Sequence, residues 1–277
     1  MALKLMYITN DQEVARIAEK SGVDWIFVDL EINGKKERQA HLDTVISHHS
    51  IKDVRKIRQV LTKSELIVRI NPIYEGTKDE IDNVICNGAN IIMLPFFKNK
   101  DEVQEFIGLI NGRCRSCLLL ETPEAVENID SVLSVNGIDY VHIGLNDLHL
   151  GYNMMFMFEL LADGTIEMLC NKIKQKNIVY GFGGIAQIGQ GMLKAENIIA
   201  EHYRLSSSLA ILSRSFCDMN TTKNLKDVNK LFAQGISNIR RFENMLVEKS
   251  KEFYEVNQRE IKHAVSEIVA VLATGIV

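Results

Sequence analysis

Four acidic side chains and one arginine stand at the ends of apolar runs, where an unpaired charge is costly. They are Asp29 and Glu31 in Val28-Asp29-Leu30-Glu31, Arg69 in Val68-Arg69-Ile70-Asn71, Glu121 in Leu120-Glu121-Thr122-Pro123 and Asp147 in Gly144-Leu145-Asn146-Asp147. Carboxylates converging with an arginine on one rim make a metal-and-anion arrangement. Glu121 and Asp147 are the strongest pair. They end successive strands, whose axes lie about 4.8 Å apart, so the two can share one divalent cation. Oxygen-only ligation with few protein ligands suits Mg2+ or Mn2+, with water or substrate filling the other positions. The competing readings are an ion pair with a nearby lysine or arginine, and a helix N-cap role for Asp147. Arg69 can hold a carboxylate or an oxyanion in fork geometry, or simply pair with Asp29 or Glu31. His149 is an acid–base candidate or a surface histidine. The glycines from Gly181 to Gly191 fit a phosphate site or a plain backbone turn.

Short β-branched runs separated by helical patterns must position these groups. The runs fall at residues 3–9, 25–31, 65–71, 91–97, 116–122, 140–145, 178–182 and 203–209. Helical patterns include 11–21, 79–87, 100–111, 123–134 and 157–175, the first with Asn10 and Glu13 placed as a capping box. The runs are near-continuously apolar (Ile26-Phe27-Val28, Ile91-Ile92-Met93-Leu94), as parallel strands buried on both faces must be. Eight strands alternating with helices predict an α/β fold, a (β/α)8 TIM barrel. An open doubly wound sheet would show a glycine-rich turn after the first strand, and Ile8-Thr9-Asn10-Asp11 has none. All three prolines (Pro72, Pro95, Pro123) fall near strand ends, and Pro123 follows Thr122, a fitting N-cap.

After about Cys217 the strand signals stop. The expected organisation is a barrel over residues 1–217 and a C-terminal helical extension over 218–277. The extension is striped by Leu225, Val228, Phe232, Ile236, Ile239, Phe242 and Leu246, and Asn257 with Glu260 predicts the start of a second helix. Such a tail packs on the barrel's flank or on a neighbouring copy, so a homo-oligomer is expected.

The chain's 277 residues, 46% of them hydrophobic, can bury a core without disulfides. Against 36 acidic residues there are 32 basic ones, a net charge of -4, which disfavours nucleic acid as a partner. Five scattered cysteines form no disulfide framework. The Cys114–Cys117 pair lacks the second ligand pair of a zinc site and reads as packing. No apolar stretch reaches the length of a membrane span and the N-terminus does not read as a signal peptide, so the expected location is the cytoplasm, with no membrane partner.

Val28-Asp29-Leu30-Glu31, Val68-Arg69-Ile70-Asn71, Met93-Leu94-Pro95, Leu120-Glu121-Thr122-Pro123-Glu124-Ala125 and Ile143-Gly144-Leu145-Asn146-Asp147-Leu148 come in a telling order. In order and rough spacing the sequence resembles the HpcH/HpaI family of 2-oxo acid aldolases and citrate lyase beta subunits, from about residue 23 to 150 and more weakly to about 217. The resemblance implies a pyruvate/phosphoenolpyruvate-type barrel, a divalent metal (Mg2+ or Mn2+) and reversible carbon–carbon bond cleavage on a 2-oxo acid. By it, Glu121 and Asp147 look like the metal ligands. Arg69 looks like the group that binds the oxo acid and stabilises its enolate, with Asp29 and Glu31 completing the catalytic group. The backbone of Leu145, Asn146 and Asp147 looks like the substrate carboxylate cradle. Ile32 stands where aldolases of this family often carry a histidine paired with the Asp as base. That leaves His41, His48, His49, His149 or metal-bound water for the role. Lys35, Lys36 and Arg38 after Asp29-Leu30-Glu31 look more like the citrate lyase branch, so an acyl-CoA substrate is the alternative. An alternative of another class is a barrel that has lost catalysis and serves as a scaffold subunit. Intact Glu121, Asp147 and Arg69 argue against it.

Overall fold

The computed structural model describes residues 2–33, 49–217, 222 and 224–275. Eight strands close in chain order into a parallel barrel. They are β1 (Lys4–Ile8), β2 (Trp25–Asp29), β3 (Glu65–Arg69), β4 (Ile91–Leu94), β5 (Arg115–Leu120), β6 (Tyr140–Ile143), β7 (Val179–Ile185) and β8 (Leu209–Leu212), with β8 pairing back onto β1. Helices connect them: α1 (Gln12–Ser21), α2 (Ile51–Val60), α3 (Thr77–Cys86), α4 (Lys100–Ile110), α5 (Pro123–Glu127), α6 (Ile129–Val132), α7 (Leu145–Gly151), α8 (Glu159–Ala162), α9 (Thr165–Gln175) and α10 (Ala195–Arg204). Two long helices follow, α11 (Leu225–Leu246) and α12 (Lys251–Ala273). This is the (β/α)8 barrel the strand pattern predicts.

Two apolar layers explain why the strand runs are continuous. One fills the barrel with Met6, Trp25, Phe27, Ile67, Met93 and Leu119. The other lies between strands and helices, where Val28, Val68 and Leu118 meet Val14, Ile57 and Val84. A strand feeding both layers has no solvent face, so alternation disappears. Trp25 sits in the inner layer, 1% exposed, with its ring edge-on to Tyr140 at 4.8 Å.

Several boundaries differ from the sequence reading, each for a local reason. Asp11 rather than Asn10 caps α1; its carboxylate accepts from the N–H groups of Glu13 and Val14. The 123–134 and 157–175 patterns each divide into two shorter helices. Strand β8 lies at Leu209–Leu212, not over 203–209, because Tyr203 and Arg204 complete the last turn of α10. Asn257 starts no helix. Ser250 caps α12 by accepting from the Phe253 N–H, and Asn257 is buried mid-helix, where its Nδ2 donates to Asn197 O and Glu201 Oε1, each at 3.1 Å.

Helix α11 packs along α1 on one side and touches α10 on the other. Phe232 meets Tyr7 edge-on at 4.8 Å, and Glu243 accepts from the Leu3 N–H at 2.7 Å. The ring of helices around the barrel is thus completed by a segment that the sequence reading placed in the tail. Among the described residues no helix is long and apolar enough to cross a membrane.

Candidate active site

In the β2–β3 register Asp29 stands beside Arg69, and the two side chains meet where the strands end. Arg69 Nε donates to Asp29 Oδ1 at 2.9 Å and Nη2 to Asp29 Oδ2 at 2.8 Å, while Nη1 lies 3.3 Å from Glu31 Oε2. Three of the five guanidinium N–H groups thus face carboxylates, leaving two. The guanidinium also lies over the Phe27 ring, 5.7 Å from its centroid. Burial alone would push the Arg69 pKa down; Asp29 and then Glu31 outweigh it and hold the group firmly charged. The pairing that sequence offered as an alternative for Arg69 therefore exists, and it orients the arginine rather than consuming it.

The chain beyond Glu31 is pinned by Asn71, whose Oδ1 accepts from the N–H groups of Ile32 and Asn33 at 2.9 Å and whose Nδ2 donates to Glu80 at 2.8 Å. The Asp29 N–H donates to His49 Nδ1 at 3.0 Å, which places the proton of a neutral His49 ring on Nε2. His41, His48, Lys35, Lys36 and Arg38 lie outside the described residues.

Across the barrel, Glu121 follows β5 and is 3% exposed. Its Oε1 accepts from the Phe96 N–H at 3.2 Å. Phe96 holds that geometry in the left-handed region, with φ of 53°. Gly144 gives the carboxylate room: a Cβ there would lie 2.8 Å from Glu121 Oε2. Gly144 also precedes α7 and has no side chain to cap it, so the first-turn N–H groups at Asn146 and Asp147 stay open. Asp147 lies in that turn, not at the N-cap position; it is half-buried and makes no side-chain hydrogen bond or ion pair among the described residues.

Arg69, Glu121, Leu145, Asn146 and Asp147 line one cavity of about 440 Å³ at the C-terminal mouth of the barrel, within the usual size of a small-molecule site. Asp29 and Glu31 stand behind Arg69 in its wall. Glu121 acts electrostatically on Arg69. Two oxygen-donor carboxylates facing one cavity, one of them without a partner among the described residues, fit a hard divalent cation that takes its remaining ligands from water or substrate. No cluster of three or more His, Cys, Asp or Glu side chains suited to a metal occurs among the described residues, so a site here is the two-carboxylate kind.

Two titratable cavity residues were not singled out in the sequence. His142, on the inward face of β6, is 1% exposed and its Nδ1 has no hydrogen-bond partner among the described residues; burial pushes its pKa down to about 4, so the ring is neutral. The inward parity of Tyr140 and His142 was the available signal. Arg214, after β8, also lines the cavity. The misplaced eighth strand hid it, since its true end was never read. His149 is buried with Nδ1 bonded to Leu145 O at 3.1 Å, inside its own helix, and is absent from the cavity lining. Gly183 and Gly184 belong to β7 and line the cavity rather than forming a separate loop. Cys114 and Cys117 are free, and burial raises both thiols, Cys114 to about 11, as packing residues require.

Comparison with known proteins now carries weight. Residues 4–155 match the family described as HpcH/HpaI aldolase/citrate lyase. The chain belongs to that family. A 2-keto-3-deoxy-L-rhamnonate aldolase of Klebsiella pneumoniae subsp. pneumoniae is 28% identical over 171 residues, a match spanning 50% of this chain and 58% of that protein. One of Shigella dysenteriae serotype 1 is 28% identical over 173 residues, with the same coverage. The solved HpcH/HpaI aldolase from Desulfitobacterium hafniense DCB-2 superposes with a TM-score of 0.61 at 15% identity, covering 86% of this chain and 93% of that one. The structure titled citrate synthase SbnG gives a TM-score of 0.61 at 14% identity, covering 83% and 94%. These solved structures share the fold. The HpcH/HpaI match includes Asp29, Arg69, Glu121 and Asp147 and stops before β7 and β8.

Proposed function

We propose that this chain is a divalent-metal-dependent aldolase that makes or breaks a carbon–carbon bond next to a pyruvate-type enolate. The observation carrying the reading is that Glu121 and Asp147 open onto the same cavity as Arg69. Glu121 and Asp147 would hold Mg2+ or Mn2+, which when bound supplies Lewis acidity for a 2-oxo acid.

The chain's own residues do the rest. Arg69 lines the cavity with two N–H groups not taken by Asp29 or Glu31, and would put fixed positive charge where the 2-oxo oxygen gains negative charge. Asp29 and Glu31 act through Arg69: they fix the plane of the guanidinium and are positioning residues. The open N–H groups at the start of α7, next to Leu145, suit the substrate carboxylate. No lysine is among the described residues lining the cavity, which argues against an imine mechanism.

The test is calorimetric titration of oxalate with Mn2+ or Mg2+ present. Metal-dependent binding is expected in the wild type and its loss in Glu121→Ala. Undiminished binding in that variant, or none in the wild type with metal, overturns the reading.

A further inference from the structure

Strand β3 and its end grip the segment after β2 at two points. Arg69 meets Asp29 and Glu31, and Asn71 meets the chain beyond Glu31. Every backbone N–H from Asp29 to Asn33 is taken: by His49 Nδ1, the Arg69 carbonyl, Asp29 Oδ1 and, for the last two, Asn71 Oδ1. The bonds on either side of Glu31 matter most. Its own N–H donates to Asp29 Oδ1 at 3.2 Å, and the N–H of Ile32 donates to Asn71 Oδ1 at 2.9 Å. A peptide unit is planar, so these two bonds fix both planes that meet at the Glu31 Cα. Only side-chain torsions remain to the carboxylate, which lies 3.3 Å from Arg69 Nη1.

Asn71 does this only with its amide turned one way. Two N–H donors on one side require the oxygen there. On the other side Nδ2 donates to Glu80 Oε1 at 2.8 Å, and the Asn71 backbone N–H lies 3.3 Å and 3.4 Å from the two Glu80 oxygens. A flipped amide would set its oxygen against the Glu80 carboxylate and its NH2 against two N–H groups. Glu80, in the first turn of α3, thus selects the sense of Asn71. Neither residue lines the cavity.

We propose that Glu80 is a positioning residue for the Glu31–Arg69 pair and acts through Asn71. What the site needs is the donor–acceptor sense of this relay: an acceptor toward Ile32 and Asn33, and a complementary pair between positions 71 and 80. The inference rests on the aldolase reading and extends its machinery to two residues outside the cavity. Without the relay the backbone of Glu31 is released on one side. Arg69 then loses one of its two carboxylates, and its charge is no longer held where the 2-oxo oxygen would lie.

An exchange of polarity tests this on the full chain, with thermal melts to confirm folding. Asn71→Asp keeps an oxygen toward Ile32 and Asn33 but sets a second carboxylate oxygen against Glu80. In the double variant Asn71→Asp/Glu80→Gln, the amide at position 80 donates to the carboxylate at position 71, and the relay is whole again with its sense reversed. One readout is deuterium exchange from solvent into the methyl group of pyruvate with Mg2+ present, followed by proton NMR. It reports enolate formation: a C3–H bond breaks, the proton passes to solvent and a deuteron returns. The other readout, hydrogen exchange at the Ile32 and Asn33 amides, needs no turnover.

At about pH 8.5, well above ordinary carboxylate values, Asn71→Asp should lower kcat for pyruvate exchange about tenfold or more, with KM within about threefold. Amide exchange at Ile32 and Asn33 should quicken by about tenfold. Glu80→Gln alone should lose less, because it can still accept from Asn71 Nδ2. The double variant should return to within about threefold of wild type in both readouts. If Asn71→Asp does not fold, Glu80→Ala leaves the Asn71 amide free to flip and should shift both readouts in the same direction. A double variant no better than Asn71→Asp, or undiminished kcat beside lost amide protection, overturns the positioning role and leaves the aldolase reading standing. No pyruvate exchange in the wild type overturns the aldolase reading. Amide protection restored in the double variant then still supports the relay, and protection not restored removes it.

Discussion

Arg69 is held on two edges, by the Asp29 fork and by Glu31, and this decides what its replacement costs. A lysine has one point of charge and cannot answer two buried carboxylates at once. Arg69→Lys should therefore lower kcat/KM for a 2-oxo acid by about 10²–10³-fold, with a measurable loss of Tm. Steady-state kinetics beside a thermal melt checks this; full activity in the lysine variant would show that the fork is dispensable. At this scale the sequence was most legible where charge interrupts an apolar strand. Asp29, Glu31, Arg69, Glu121 and Asp147 all carried that signal. Asp29 and Arg69 meet because they share a strand register, and Glu121 and Asp147 open onto one cavity. His142 was silent because a histidine among Tyr140, Val141 and Ile143 is as easily a packed core ring. Arg214 was silent because reading it requires knowing where β8 ends.

The strands were legible as elements because burial on both faces removes alternation, a pattern that survives without knowing any neighbour. Their ends were less so. Strand β8 has only four residues and follows Ser206-Ser207-Ser208, which reads as loop, while the aromatic residue at Tyr203 pulled the run backward into α10. The β7–β8 seam is also closely packed at Gly181. A Cβ on Gly181 would lie 1.9 Å from the backbone oxygen of Leu209, and the register shifts between Gly181 and Gly184. A backbone atom cannot rotate away as a side chain does. Gly181→Ala should thus open the seam and destabilise the barrel by about 3 kcal/mol or more, read as a lower midpoint in urea. A midpoint within error of wild type would mean the seam can widen at little cost.

For the whole molecule, the barrel architecture was readable from pattern, but the seat of α11 was not. Its stripe says that it packs, and only the structure says that it packs between α1 and α10. Stability across pH belongs to this scale as well. Burial pushes His142 and His202 down to about 4 and about 3, so both stay neutral in the fold while the unfolded chain protonates them near 6.5. Above that pH neither contributes a slope. As pH falls from about 6.5 toward 4 the unfolded state takes up protons the folded state refuses, and stability drops. His142→Phe should shallow that limb by one proton, about 1.4 kcal/mol per pH unit, in urea midpoints measured at successive pH values; an unchanged limb would refute it. The seclusion of Trp25 has a further use. It is the chain's single tryptophan, and it lies inside the barrel, remote from α12. Selective excitation of its indole therefore listens to the interior of the barrel alone. Far-ultraviolet dichroism, dominated by the helices, hears the outer shell and the C-terminal helices. The protein carries two optical channels, and any lag between them measures how tightly shell and barrel are coupled.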